Sequence, residues 1–101
     1  MGKFVQIIEF TTSRADDIKA LSEQYREDRA ADGSPGPKLG ILTEDRDRPG
    51  TFINVVQFDS YEEAMANSEN PLTQQFSQKM SELVDGPPTF RNLNVVDTWQ
   101  S

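Results

Sequence analysis

Residues 58–76 have the sequence FDSYEEAMANSENPLTQQF, which contains the start of a helix and then a proline interruption. Ser60 and Glu63 have the spacing of a capping box, in which the serine hydroxyl accepts the amide hydrogen of the glutamate. The residue before a proline avoids helical geometry, and proline itself suits the first turn of a new helix. The stretch therefore predicts two helical pieces that are separated near Asn70-Pro71.

The chain after this break continues the helix and then forms a last strand. Apolar residues recur at helical spacing, at Leu72, Phe76, Met80 and Leu83. The segment Asp85-Gly86-Pro87-Pro88 ends the helix. Phe90–Trp99 (FRNLNVVDTW) has the composition of a strand, and we predict that it is the fourth one.

Two strands and a turn precede the quoted stretch. Lys38–Glu44 (KLGILTE) and Thr51–Phe58 (TFINVVQF) are rich in apolar and β-branched residues, as strands are. The polar segment DRDRPG, residues 45–50, joins them and closes with Pro49-Gly50. This arrangement predicts a β-hairpin with a loop longer than the tight two-residue kind.

The first part of the chain predicts a strand followed by a helix. Residues 3–11 (KFVQIIEFT) are strand-like on both faces. We expect Ser13 to cap the helix by accepting the amide hydrogen of Asp16. An apolar stripe at helical spacing follows, formed by Ile18, Leu21 and Tyr25. The helix should fade near Ala30–Ala31, before the glycine- and proline-rich segment 32–37.

The resulting order is β-α-β-β-α-β, the arrangement of ferredoxin-like α+β domains. It predicts one domain over residues 1–101, with an antiparallel four-stranded sheet and two helices on one face. Apolar side chains of the first and third strands would remain on the other face. Each would gain about 1.5–3 kcal/mol from burial, so we predict a homodimer that packs sheet against sheet.

The composition argues against several classes of function. The net charge is −7, with 10 basic and 17 acidic residues, which disfavours binding to nucleic acids and to anionic membrane surfaces. Histidine and cysteine are both absent, which removes the commonest general base and the commonest metal ligands. We therefore expect neither a metal site nor a cofactor. The N-terminal residues MGKFVQIIEF do not resemble a signal peptide, so a cytoplasmic location is expected.

The pattern from Phe58 to Phe76, between a strand–helix–hairpin half and a last strand, resembles the dimeric α+β barrel superfamily. It is most similar to the antibiotic biosynthesis monooxygenase-like (ABM-like) group. The resemblance implies a pocket between helices and sheet, and it embraces cofactor-free monooxygenases and haem-degrading enzymes. The residues that serve haem in the latter fall near Ser77, Asn67 and Ile8 and do not match. Haem binding by that route is therefore not expected.

Six residues are candidates for lining a ligand pocket: Gln6, Tyr25, Asn54, Gln57, Arg91 and Trp99. The three amides lie in otherwise apolar strands, where they could orient a carbonyl or hydroxyl group of a ligand. They could instead hydrogen-bond to the backbone or to a second copy of the chain, which is the commoner role of such groups.

The other three candidates also have two interpretations. Tyr25 could present its phenol to a pocket, or pack in the core with its hydroxyl in solvent. Arg91 could bind an anionic group, or be a solvated charge at the start of a strand. Trp99 could stack on a flat ligand, or seal the edge of a dimer. No catalytic residue can be assigned from the sequence.

Two functions remain open. The first is a cofactor-independent oxygenase, or a related enzyme, that acts on a small aromatic or polyketide-like molecule. The second is a non-catalytic dimer that binds a small ligand or a partner protein. A cavity on the order of several hundred Å³ between helices and sheet would favour the enzyme. If Leu21, Tyr25, Phe76 and Met80 filled that space, the enzyme would lose its site.

Overall fold

The computed structural model describes residues 2–100. The elements are β1 (Phe4–Thr11), α1 (Ala15–Asp32), β2 (Leu39–Glu44), β3 (Thr51–Phe58), α2 (Tyr61–Glu69), α3 (Pro71–Leu83) and β4 (Thr89–Asn94). The strands form one antiparallel sheet in the order β2-β3-β1-β4. The predicted α+β class and the βαββαβ order are therefore confirmed, with the second helical region divided into α2 and α3.

The division between α2 and α3 has the predicted local cause. The Ser60 hydroxyl accepts the Glu63 amide hydrogen at 3.1 Å and starts α2. Asn70 is in an extended conformation, and its side-chain oxygen accepts the amide hydrogen of Leu72 at 2.8 Å. Pro71 is the first residue of α3, where its missing amide hydrogen costs nothing. The reciprocal half of the capping box is not formed, since Oε2 of Glu63 is buried without a hydrogen-bond partner.

The start of α1 differs from the prediction. Ser13 does not cap the helix; the N-cap residue is Arg14, which has no side-chain cap. Thr12 is buried instead, and its hydroxyl accepts the Arg14 amide hydrogen at 2.9 Å and donates to the Leu83 carbonyl at 2.6 Å. This tie to the end of α3 fixes the turn before the helix. At the other end, Gly33 takes the left-handed conformation and its amide bonds to the Arg29 carbonyl.

The last strand is shorter than predicted. β4 ends at Asn94, which pairs with Phe4, the first residue of β1. No partner strand extends beyond that point, so Val96 and Trp99 lie outside the sheet and are 97% and 82% exposed. The prediction of a strand through Trp99 was wrong because composition cannot show where the neighbouring strand begins.

The strand register assigns each side chain to one of two faces, because directly paired residues share a face. On the inner face, Phe4 and Phe58 pack against Ala64 of α2. The inner face comprises Phe4, Gln6, Ile8, Phe10, Gly40, Leu42, Glu44, Phe52, Asn54, Val56, Phe58, Phe90, Asn92 and Asn94. The outer face carries Val5, Ile7, Glu9, Leu39, Ile41, Ile53, Val55, Gln57, Arg91 and Leu93, among others. Within residues 2–100, no helix has the length and apolar character needed to cross a membrane.

Candidate functional site

The inner face is closed at both ends and open in the middle. At one end Phe4 and Phe58 are each 2% exposed, and at the other end Phe10 is 5% exposed. Between them, Gln6, Ile8 and Asn54 are only half-buried although they lie on the two central strands. A fully packed helix–sheet interface would bury these positions. From this half-burial we infer a cleft, which we define by Gln6, Ile8 and Asn54 on the sheet side.

The helix layer carries an aromatic pair, Tyr25 and Phe76. Ile18 of α1 is buried and lines a small cavity together with Phe10, so this stripe of the helix faces the sheet. Tyr25 lies two turns further along the stripe, about 11 Å away, which matches about three strand residues back along β1. The Tyr25 ring stacks on Phe76 of α3, with ring centroids 4.5 Å apart. From this spacing we infer that Tyr25 and Phe76 form the roof over Gln6 and Ile8.

The floor of the cleft has two kinds of amide. Gln6 donates from Nε2 to Oδ1 of Asn92 at 3.2 Å, which fixes the orientation of both side chains. Asn54 lies opposite Ile8 on β1 and Leu42 on β2. Its amide makes no side-chain hydrogen bond to any other described residue, and it is half-buried. An amide that is neither satisfied nor fully solvated is available to a ligand.

A buried polar cluster lies beside the roof, and we call Tyr25, Arg29, Asn67 and Thr73 the arginine cluster. Arg29 and Asn67 are only 7% and 8% exposed. Nη1 of Arg29 donates to Oδ1 of Asn67, to the Thr73 hydroxyl at 3.0 Å and to the Tyr25 hydroxyl at 3.4 Å. The Tyr25 and Thr73 hydroxyls are hydrogen-bonded at 2.7 Å. Nη2 of Arg29 donates to the carbonyl of Pro35, which ties the 33–37 loop to the cluster.

The charge of Arg29 has no direct partner among residues 2–100. No carboxylate oxygen of these residues lies within 4.0 Å of its nitrogens, and Nε is buried without a hydrogen-bond partner. Asp32 follows three residues later and is exposed. Hydrogen bonds from Ser34 and then Asn70 hold the pKa of the Asp32 carboxyl below its ordinary value, with a smaller contribution from the Arg29 charge. The guanidinium is therefore surrounded by neutral acceptors.

The structure places two of the six predicted site residues on one face of the sheet and separates the others. Gln6 and Asn54 lie on the inner face of neighbouring strands, and Tyr25 lies in the helix layer, where its ring stacks on Phe76. Gln57 and Arg91 lie on the outer face, where Gln57 pairs with Val5 and Arg91 with Ile7. Trp99 lies beyond the end of β4 and is exposed.

Sequence analysis did not single out Arg29, Asn67 or Thr73 as site residues. A signal for Arg29 was present, because it follows Tyr25 by four residues and so continues the apolar stripe of α1. An arginine at a position that the helix buries requires polar partners. Asn67 and Thr73 supply them from either side of the Asn70-Pro71 break, which the sequence did predict.

The enclosed space between helices and sheet is small. A cavity of about 20 Å³ lies near the start of α1, lined by Phe10, Thr12, Ala15, Ile18, Lys19, Leu42 and Phe52. It has room for roughly one water molecule, so it is not the cavity of several hundred Å³ that would favour the enzyme. A larger groove of about 260 Å³ lies between α2 and the 33–37 loop, lined by Ser34, Pro35, Glu62, Glu63, Ala66 and Asn70. Residues 2–100 contain no group of three or more side chains that could hold a metal ion.

Comparison with known proteins finds likeness in structure alone. No protein-family model and no curated protein sequence matches the chain. SnoaB, a cofactor-independent oxygenase from Streptomyces nogalater, is 12% identical, with full coverage of both chains and a TM-score of 0.81. Rv0793 from Mycobacterium tuberculosis is 19% identical over 97% of this chain and 99% of that one, with a TM-score of 0.75.

A third neighbour is a proposed antibiotic biosynthesis monooxygenase from Caulobacter crescentus. It is 14% identical over 95% of this chain and 92% of that one, with a TM-score of 0.80. At these identities the likeness concerns the fold. The resemblance predicted from residues 58–76 is confirmed at that level: the chain has the α+β fold of the antibiotic biosynthesis monooxygenase-like proteins.

Proposed function

We propose that this chain is a homodimeric ABM-like enzyme that oxidises a small flat aromatic molecule with O₂, without a cofactor, in the cleft of the inner face. The observation that carries the proposal is the half-buried amide of Asn54 at the centre of the sheet, which has no side-chain partner among the described residues. The stacked rings of Tyr25 and Phe76 are the inferred roof of the cleft. Flat rings bind well against aromatic side chains, and the amide supplies one directed polar contact.

The residues of the cleft suit a substrate that provides most of its own reactivity. In an anthrone, the ring methylene loses a proton to water to give a carbanion whose charge spreads onto the carbonyl oxygen. The carbanion passes an electron to O₂, and the resulting radical and superoxide recombine as a peroxide anion at that carbon. The peroxide takes a proton back from water to become a hydroperoxide. Loss of water leaves a second carbonyl, so that CH₂ and O₂ become C=O and H₂O.

For such a reaction the protein needs only to orient the substrate and to stabilise one oxyanion. The NH₂ group of Asn54 can donate to that oxygen. The hydrogen bond between Gln6 and Asn92 keeps the neighbouring floor rigid. The Tyr25 and Phe76 rings would hold the plane of the substrate.

The outer face supports the homodimer of this proposal. Leu39, Ile41 and Leu93 are 51%, 47% and 44% exposed, and they lie in rows with Val5, Ile7, Ile53 and Val55. Burying each side chain against a second copy would stabilise the pair by about 1.5–3 kcal/mol before the cost of association. A sheet-to-sheet pair would cover this face and leave both clefts accessible.

The alternative is a dimer that binds a similar molecule without converting it. It is favoured by the chemistry around Asn54, where the facing residues Ile8 and Leu42 carry no group that could take up a proton. The inner-face carboxylate of Glu44 lies at the hairpin and accepts the amide hydrogen of Gly50. Among the residues assigned to the cleft, Tyr25 is then the one with an ionisable side chain.

Oxygen uptake separates the two functions. Purified protein is incubated in air with anthrones and quinols, and with the methyl ether of each quinol as a non-oxidisable control. The enzyme predicts uptake in proportion to protein concentration, with one quinone formed per O₂ consumed from an anthrone. Ligand binding detected by fluorescence quenching, together with uptake equal to the buffer blank, would favour the non-catalytic dimer. Absence of both binding and uptake would contradict the assignment of the cleft as a ligand site.

A further inference from the structure

We propose that the cleft binds its aromatic ligand as a phenolate or enolate anion, and that Arg29 is a positioning residue that supplies the positive charge through Tyr25. This inference rests on the proposed ligand site and names the class of molecule: flat phenols or enols that can ionise. The observation behind it is that the Arg29 guanidinium is buried and, among residues 2–100, donates its hydrogen bonds to neutral oxygens alone.

The surroundings of Arg29 are unusual for a purely structural arginine. Burying a charge is costly, and buried arginines are normally paired with a carboxylate. Carboxylates are abundant in this chain, which has 17 acidic residues. On the elements that pack around Arg29, the nearby carboxylates are Asp32 at the end of α1 and Glu63 one turn before Asn67 on α2. Neither lies within 4.0 Å of the guanidinium.

The position of the guanidinium is tightly fixed. The 33–37 loop packs against it so closely that a Cβ atom on Gly36 would come within 2.9 Å of Nη2. Asn67 and Thr73 hold Nη1 from α2 and α3. A fixed charge in a poorly solvated place is one that an incoming anion meets without reorganisation.

Tyr25 connects this charge to the cleft. Its hydroxyl accepts a hydrogen bond from Arg29 Nη1 at 3.4 Å and forms a second hydrogen bond with the Thr73 hydroxyl at 2.7 Å. The guanidinium carbon lies 6.0 Å from the centre of the Tyr25 ring, which itself stacks on Phe76. A ligand stacked under this ring would lie beyond it from the guanidinium, in a place where little water screens the charge. There an opposite charge still favours the ionised form of an acid.

The test uses alizarin, a flat dihydroxyanthraquinone whose colour reports its ionisation. Its absorbance is titrated free and bound to the dimeric protein between about pH 4 and 9. We expect bound dye to ionise about one pH unit below free dye. Arg29→Gln should abolish this shift, and Arg29→Lys should retain most of it. Arg26→Gln removes an exposed arginine from the same helix and should behave as the unmodified protein.

Tyr25→Phe and a dye ether cover the case in which Arg29→Gln does not fold. Tyr25→Phe keeps the stacked ring and should halve the shift or more. The unmodified protein should bind alizarin about tenfold more tightly than its methyl ether when the dye is ionised. Dye that binds but ionises as in water, or a shift that survives Arg29→Gln, would overturn the inference and leave the ligand site intact. Failure of the dye and its ether to bind would instead overturn the proposed ligand site and this inference with it.

Discussion

The same four strands give the sheet two faces with different properties. Along β1, the inner face carries aromatic residues at both ends and Gln6 and Ile8 between them, whereas the outer face carries Val5, Ile7 and Glu9. The inner face is sealed at its ends and open at its centre. The outer face carries apolar side chains on all four strands, together with Glu9, Gln57 and Arg91, and its Leu39, Ile41 and Leu93 are exposed.

This difference separates a ligand site from an association surface. A site for a small molecule needs a gap and a few directed polar groups, which the inner face provides through Asn54 and its neighbours. An association surface needs flat apolar area with few unpaired polar groups, which describes the outer face. Because strand side chains alternate, each of β1 and β3 contributes to both without conflict.

The largest expected effect is the loss of stability when an aromatic side chain that closes one end of the inner face is removed. Phe58 is 2% exposed and packs with Phe4 and Ala64, so Phe58→Ala should lower the free energy of unfolding by about 3–5 kcal/mol. The matched control is Phe90→Ala, on the same face but 55% exposed, which should cost less than about 1 kcal/mol. Urea unfolding measures both. Equal losses would mean that the ends of the inner face are not packed as described.

The next effect concerns the centre of the outer face. Val55 lies between Ile41 and Ile7 in neighbouring strands, and Val55→Lys would put a charge at the middle of the proposed interface. We expect the dimer to weaken at least about 100-fold, because the charge would be buried without a partner. Light scattering after size exclusion should change from twice 11.4 kDa to 11.4 kDa. The control is Gln75→Lys, exposed on α3; dissociation by both, or by neither, would contradict the assignment of the faces.

A comparison within one strand comes third. Asn54 and Gln57 are both amides on β3, but the register puts them on opposite faces. Asn54→Ala should lower the affinity for a flat aromatic ligand about tenfold, the effect of losing one hydrogen bond in a poorly solvated site. Gln57→Ala should leave ligand affinity unchanged. Its mass in solution is measured as well, because Gln57 lies on the proposed dimer interface. Fluorescence titration with the same dye measures both, and equal loss would place the ligand elsewhere.

Much of the fold was predictable because local signals decide it. Runs of apolar and β-branched residues marked the four strands, and Asn70-Pro71 marked the division between α2 and α3. The faces of Asn54 and Gln57 were not predictable, because they depend on which residue of β1 each one opposes. The end of β4 at Asn94 has the same cause, since pairing with Phe4 and not composition sets it.

The arginine cluster was missed for a different reason. In sequence, Arg29 continues the apolar stripe of α1, but its burial is complete only when the 33–37 loop and the α2–α3 break close over it. The partners Asn67 and Thr73 are ordinary helix residues by themselves. Long-range contacts leave little trace in a single sequence, so these partners could be found only in three dimensions.

The smallest predicted effect concerns the hairpin that keeps the two faces distinct. A slip of one residue between β2 and β3 would exchange the faces of every side chain on β2. Asp45 holds the turn: its carboxylate accepts the Asp47 amide hydrogen at 2.9 Å and the Arg48 Nε hydrogen at 3.0 Å. The bond from Asp47 and then that from Arg48 lower the pKa of Asp45 below its ordinary value of 3.8.

The sign of the pH effect follows from this lowered pKa. The unfolded chain binds the Asp45 proton more readily than the folded one, so the stabilisation is present above pH 3.8 and is lost as the pH falls through the folded-state pKa. Asp45→Asn should therefore lower the melting temperature slightly at about pH 6, and the difference should vanish near pH 2. Asp32 also titrates in this range, but it is common to both proteins and cancels in the difference. A difference that is constant with pH would mean that the carboxylate of Asp45 does not hold the turn, and that β3 keeps its register through the side-chain packing of the two faces alone.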